Sequence, residues 1–145
     1  MKKLLLFSFF SLCLAFTSMA QTKFGAGATY YSDFGVQGRA NLDLSDGIGL
    51  IPSFNYYFTE IGTSFSIDAN ATYDITVVGD DLPIYGFGGL GYYSFSFGGE
   101  SSSEIGLNLG AGTEVGGNIY IEIGWKKFFC DFCGDDIGFA AGYYF

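Results

Sequence analysis

The sequence predicts an all-β fold: an eight-stranded antiparallel up-and-down transmembrane β-barrel, preceded by a cleavable signal peptide. Three observations predict it. Apolar and polar residues alternate with period two in eight successive segments. Aromatic residues make up 20% of the chain and charged residues only 14%, which is more ring than a water-soluble domain of this size can hide. Finally, Gly, Asn, Asp or Ser interrupts every apolar run after the first twenty residues, so none approaches the roughly 20 apolar residues of a spanning helix. A closed barrel is the other structure whose backbone is fully paired inside a bilayer, and alternating segments of about 10 residues separated by turns are its signature.

Residues 1–20, MKKLLLFSFFSLCLAFTSMA, have a basic start at Lys2 and Lys3, an apolar run from Leu4 to Phe16, and Ser18-Met19-Ala20 before Gln21. This is the pattern of a secretory signal with a small-x-small cleavage site. Cys13 follows the large Leu12 and lies inside the apolar run, so it reads as a hydrophobe removed with the signal rather than as a lipidation site. The remaining residues 21–145, 125 in number (145 − 20), make one domain.

The strands follow in order. KFGAGATYY sets Phe24, Ala26, Ala28 and Tyr30 on one face, and SDFG connects it to VQGRANLDL, where Val36, Ala40, Leu42 and Leu44 oppose Gln37, Arg39, Asn41 and Asp43. After SDG comes IGLIPSFNYYF, with Ile48, Leu50, Phe54, Tyr56 and Phe58 outward; Pro52 has no N–H to donate and predicts a bulge or an imperfect ladder. TEIGT leads to SFSIDANATYDI, with Phe65, Ile67, Ala69, Ala71, Tyr73 and Ile75 against Ser66, Asp68, Asn70, Thr72 and Asp74. VVGDD precedes PIYGFGGLGYYSFSF, in which Tyr85, Phe87, Tyr93, Phe95 and Phe97 share a face. The polar GGESSS then gives way to EIGLNLGAGTEV, with Ile105, Leu107, Leu109, Ala111, Thr113 and Val115 outward and Glu114 inward. GGN turns the chain into IYIEIGWKKFF, with Ile119, Ile121, Ile123, Trp125 and Phe129 outside and Tyr120, Glu122, Gly124 and Lys126 inside. CDFCGDD leads to the last segment, IGFAAGYYF, whose outer face is Ile137, Phe139, Ala141, Tyr143 and Phe145. Eight strands of about 10 residues leave roughly 45 for the connections. An even count places both ends of the barrel chain on the periplasmic side, with the turns SDG, VVGDD and GGN, and the four other connections outside.

Composition excludes some functions. Without Lys2 and Lys3 the chain carries four basic residues against fifteen acidic ones, a net charge of 4 − 15 = −11, and nucleic acid is not an expected partner. Histidine is absent, which removes Ser-His catalysis and His-based metal sites. Gly86, Gly88 and Gly91 match a dinucleotide fingerprint, but that motif needs a helix after a strand, and Tyr92 to Phe95 continue the strand alternation. Glycines at alternate positions, such as Gly25 with Gly27 and Gly110 with Gly112, suit a narrow barrel that must admit inward side chains from neighbouring strands.

The candidate site is the lumen. Arg39, Asp43, Asp68, Glu114, Glu122 and Lys126 fall on inward positions with Gln37, Asn41, Asn70, Asn108 and Tyr120. A barrel of this width is just filled by side chains, so these groups read as an internal salt-bridge and hydrogen-bond network in place of a hydrophobic core. Cys130 and Cys133 form a C-x-x-C in the last outer connection; a local disulfide is the plainer reading outside the inner membrane, since two thiolates lack the further ligands of a zinc site. No cofactor or metal is expected. Aromatic residues near strand ends, Tyr30, Tyr31, Tyr56, Tyr57, Phe58, Tyr92, Tyr93, Trp125, Phe128, Phe129, Tyr143, Tyr144 and Phe145, read as interfacial girdles.

On FGAGATYY, YGFGGLGYY, LNLGAGTEV and the closing GYYF, the chain resembles the small outer-membrane β-barrel proteins of Gram-negative bacteria, the OmpX and OmpA-barrel-like family. The resemblance implies an outer-membrane location, with lipid around the barrel and the barrel-assembly machinery as a partner during insertion. It also implies that Tyr143 and Phe145 form a C-terminal insertion signal; Ala140 stands where that family usually has glycine. The expected role is non-enzymatic: structural, or surface-interactive through short outer loops. Two alternatives remain, a narrow channel or conduit for small or hydrophobic molecules, and a soluble lipocalin-like barrel with its apolar face inward.

Overall fold

The computed structural model describes residues 22–79, 82–129 and 134–145. Eight strands, β1 (Thr22–Tyr31), β2 (Asp33–Ser45), β3 (Ile48–Tyr57), β4 (Thr63–Val78), β5 (Leu82–Phe97), β6 (Glu100–Val115), β7 (Ile119–Phe128) and β8 (Asp135–Tyr144), pair each with the next, and β8 pairs with β1 to close the barrel. All pairs are antiparallel. Closure leaves no sheet edge along the barrel wall, which is what a bilayer demands of strands. The expected signal segment, residues 1–20, and the Cys130–Cys133 pair lie outside the described residues.

The alternation decides which side each residue meets. Phe24, Phe54, Ile67, Leu90, Ile105, Ile121 and Phe139 are about half exposed on the outside, whereas Arg39, Asn55, Ser66, Asp68, Asn108, Glu122 and Lys126 are buried inside. A water-soluble protein has the opposite arrangement. A soluble barrel with its apolar face inward is therefore overturned by the exposure of these side chains. Lipid is the solvent that this exterior fits.

Several strands run further than the period alone predicts. SDFG is not a loop: β1 and β2 pair up to Tyr31 and Asp33 and the chain reverses at Ser32, which adopts a left-handed φ of 57°. Likewise GGESSS contributes Glu100–Ser103 to β6, leaving Gly98 and Gly99 as the turn, and Val77 and Val78 belong to β4. Serine and valine carry no turn chemistry of their own, and cross-strand pairing decides their state. At Pro52 the ladder is imperfect without a shift of register: β2–β3 pairing passes from Arg39↔Ser53 to Leu42↔Leu50, while the β4 side stays continuous through Pro52↔Ala69. The β2–β3 irregularity lies instead between Asp43 and Ser45.

The girdle assignment needs correction. Tyr31, Tyr57, Tyr93, Phe128 and Tyr144 point into the barrel, as their alternation with Tyr30, Tyr56, Tyr92, Phe129 and Tyr143 requires. Tyr57 meets Tyr93 with centroids 6.2 Å apart, Tyr93 meets Phe128 at 5.2 Å, and Tyr144 packs on Tyr120 at 5.1 Å. The face shared by Tyr85, Phe87 and Tyr93 is likewise inward, with Tyr85 and Tyr144 almost completely buried. Inward glycines make the room: a Cβ on Gly112 would lie 2.7 Å from the Tyr85 hydroxyl, and one on Gly25 would lie 2.7 Å from the Tyr144 ring.

Candidate functional site

Inward positions of all eight strands converge on a polar lumen organised around two buried ion pairs. On β2 and β7, Arg39 donates from Nη2 to Glu122 Oε1 at 2.6 Å and from Nη1 to Glu122 Oε2 at 2.9 Å, a two-pronged contact that fixes both side chains. Their side chains are 2% and 10% exposed. The guanidinium also lies 4.1 Å from the centroid of the Tyr120 ring, a stacking that a planar cation favours. Tyr85 of β5 donates to Glu122 Oε1 at 2.7 Å.

The second pair joins β7 to β4. Lys126 donates to Asp68 Oδ2 at 2.8 Å, and its ammonium sits 4.5 Å from the Tyr31 ring centroid. Asn55 of β3 donates to the same carboxylate oxygen at 2.7 Å. Gln37 bridges the two layers, donating to Asn55 Oδ1 at 2.7 Å and accepting from Tyr120 at 3.0 Å. Glu122, Arg39, Gln37, Asn55, Asp68 and Lys126 thus form one connected network. Each buried charge has an opposite charge and at least one further hydrogen bond, the condition under which buried ions are tolerated.

Of the six lumen residues named from the sequence, Arg39, Glu122, Asp68 and Lys126 come together in these two pairs. Glu114 takes a third, nearer the end that holds Thr22 and Phe145: Lys23 lies 3.2 Å from Oε2, and Asn41 donates to Oε1 at 3.1 Å. Asp43 is not in this network. It is exposed at that end, beside the β2–β3 irregularity, and joins none of the ion pairs among the described residues. The alternation placed it inward, but its strand has reached the rim, where water replaces a partner. Lys23, Asn55 and Tyr85 were not anticipated in the network. Asn55 carried a signal, because it stands between outward Phe54 and Tyr56; Lys23 did not, because its partner is 91 positions away.

Between the two ion-pair layers lies a void of about 20 Å³, bordered by Tyr31, Arg39, Asp68, Glu122 and Lys126. Below the Arg39–Glu122–Tyr85 layer the barrel opens into a vestibule of about 480 Å³ whose wall includes Asp43, Asp46, Asp74 and Glu114. Among the described residues no group of three or more His, Cys, Asp or Glu side chains is placed to hold a metal ion. Tyr143 and Phe145 lie on the outer face, and the Phe145 N–H donates to the Phe24 carbonyl at 2.8 Å, which ties the end of the chain to β1.

No protein-family model and no curated protein matches the sequence. Solved structures do match the fold. The N-terminal β-barrel domain of Pseudomonas aeruginosa OprF superposes with a TM-score of 0.66 at 19% identity, covering 86% of this chain and 96% of that one. Yersinia pestis Ail, the attachment invasion locus protein, in complex with the heparin analogue sucrose octasulfate, gives 0.52 at 19% identity, covering 86% and 97%. The outer membrane enzyme PagL gives 0.51 at 14% identity, covering 84% and 97%. The chain shares the eight-stranded architecture of these outer-membrane barrels, as the resemblance implied.

Proposed function

We propose that this chain is a non-enzymatic outer-membrane barrel with a structural and surface-interactive role, its lumen serving as a polar core and its outer connections as the presenting surface. The connected network from Glu122 to Lys126 carries this reading, because it fills the cross-section where a solute would have to pass. The absence of histidine argues against an enzyme built on Ser-His chemistry, and the two most deeply buried lumen carboxylates, Asp68 and Glu122, are engaged with cations.

The outer surface has its own character. The β5–β6 hairpin extends past the end of β7: the last β6–β7 pair is Gly106↔Phe128, the Phe129 N–H donates to the Ile105 carbonyl, and Glu100–Glu104 run on beyond them. This hairpin presents Glu100, Ser101, Ser102, Ser103 and Glu104, and Asp33, Glu60, Asp135 and Asp136 lie at the same end of the barrel. Ail has been crystallised with a polyanion; the acidic rim here disfavours such a ligand and favours a basic partner. The test of a closed bore is conductance. Purified barrel inserted into planar bilayers is expected to give no stepwise current. Reproducible steps that scale with insertion events would replace this reading with a narrow channel.

A further inference from the structure

At the end that holds Thr22 and Phe145, the β4–β5 hairpin extends beyond its neighbours. The last β3–β4 pair is Ile48↔Tyr73 and the last β5–β6 pair is Ile84↔Thr113, yet β4 and β5 continue to pair with each other through Thr76↔Ile84, Val77↔Pro83 and Val78↔Leu82. A rim hairpin that projects into water should be polar. This one is apolar on its outward side: Ile75 and Val78 are 61% and 55% exposed, while its described carboxylate, Asp74, faces the vestibule.

The exposed apolar face continues the lipid-facing face of the same strands. Tyr73 points outward above it, and Ile75 lies across the outward side of Gly86, with its Cδ1 3.2 Å from where a Cβ on that glycine would stand. The register shifts between Asp74 and Thr76, so beyond Ile75 the outward side passes to Thr76 and Val78, paired with Ile84 and Leu82, whereas Val77 and Pro83 are on the reverse side and Pro83 borders the vestibule. Phe65 to Val78 spans thirteen residue steps of β4; at about 3.3 Å per residue and a tilt near 40° this is roughly 30 Å along the membrane normal. On β7 the outward side from Ile119 to Phe129, interrupted by the exposed Lys127, covers about 25 Å on the same arithmetic, the usual height of the band. The apolar band therefore reaches further along β4 than along β7.

We propose that the β4–β5 hairpin is a membrane-interface anchor, its outward residues Ile75, Val78, Leu82 and Ile84 lying in the lipid of the periplasmic leaflet. The proposal rests on the outer-membrane reading above. Lipid is the occupant because the face is continuous with the lipid-facing wall and carries no charged residue among the described positions from Tyr73 to Val78 and from Leu82 to Gly86.

The experiment uses the purified barrel in phospholipid nanodiscs, with Cys130→Ser and Cys133→Ser, and a nitroxide at Val78→Cys or, as a second site, Ile75→Cys. Labels at Leu90→Cys and Ser101→Cys mark the middle of the wall and the outer hairpin. Each variant is first checked for the folded band that shifts on boiling. Collision with oxygen and with a water-soluble nickel chelate then reports depth. The Val78 and Ile75 labels are expected to match Leu90, with nickel access several-fold below that of Ser101. Nickel access equal to Ser101 would overturn the anchor and leave the face open to a periplasmic partner. Dipolar broadening that disappears on dilution with unlabelled protein would put a second copy there and also overturn it. If the Leu90 label is itself nickel-accessible, the lipid-facing assignment of the whole barrel fails, and the anchor with it.

Discussion

Removing Arg39 should expose how the lumen is held together. Arg39→Met keeps most of the side-chain volume but strips Glu122 of two charge-assisted hydrogen bonds, at 2.6 and 2.9 Å, while the carboxylate stays 90% buried. Tyr85 still donates to it, so the loss is partly cushioned. Breaking a buried pair on one side costs about 3–5 kcal/mol, because the remaining charge has no compensation; with the Tyr85 bond retained, the lower part of that range, about 3 kcal/mol, is expected. The double variant Arg39→Met with Glu122→Gln removes both charges together. It should recover about 2 kcal/mol or more of the single-variant loss, since replacing a whole buried pair is close to neutral. The assay is equilibrium unfolding in lipid vesicles with urea. Its readouts are the gel shift between folded and unfolded forms and the emission of Trp125, the single tryptophan in the sequence. Single variants that each cost under about 1 kcal/mol and add in the double variant would refute the idea that this pair is the core of the barrel.

Three further outcomes follow from the same geometry. Gly112→Ala should destabilise by roughly 1–3 kcal/mol in the same titration, because the new methyl would meet both Tyr85 and Glu122 at 2.7 Å, whereas Gly38→Ala, with nothing within 4 Å of its Cβ position, should be close to neutral. Trp125 on the outer face of β7 should emit at blue-shifted wavelengths in vesicles and be quenched by brominated lipid; emission like that of tryptophan in water would remove β7 from the wall. Phe145→Ser should lower the amount of barrel inserted in cells while leaving in vitro unfolding nearly unchanged, since its ring is 79% exposed and its tie to β1 is made by the backbone; equal loss in both assays would make Phe145 a stability residue rather than part of an assembly signal.

The period-two pattern made much of the barrel legible, and for a physical reason: a strand in a lipid-facing wall offers every side chain one of two solvents, so residue type reveals side. Ile119, Ile121 and Ile123 against Tyr120, Glu122 and Gly124 admit one orientation. Aromatic residues are where that logic weakens, because tyrosine suits a membrane interface and a polar lumen alike. Tyr31, Tyr57 and Tyr144 are placed only by their neighbours' parity, because nearness to a strand end does not decide the side of the wall. Loop boundaries were similarly underdetermined. Ser101, Ser102 and Ser103 are polar whether they sit in a turn or on an exposed hairpin, and pairing with Ser96, Phe95 and Ser94 decides that they are strand.

By itself, then, the sequence determined the strand count, the apolar exterior, the polar interior and a set of six charged residues that includes the four of the two buried ion pairs, since all of these depend on local alternation and on which solvent a side chain can meet. Only the tertiary structure decided who pairs with whom. Arg39 and Glu122 are 83 positions apart and Lys126 and Asp68 are 58 apart, and charge complementarity alone would have allowed either cation to take either carboxylate. The stagger between strands around the closed barrel brings Arg39 to Glu122, Lys126 to Asp68 and Lys23 to Glu114, and leaves Asp43 at the rim in water.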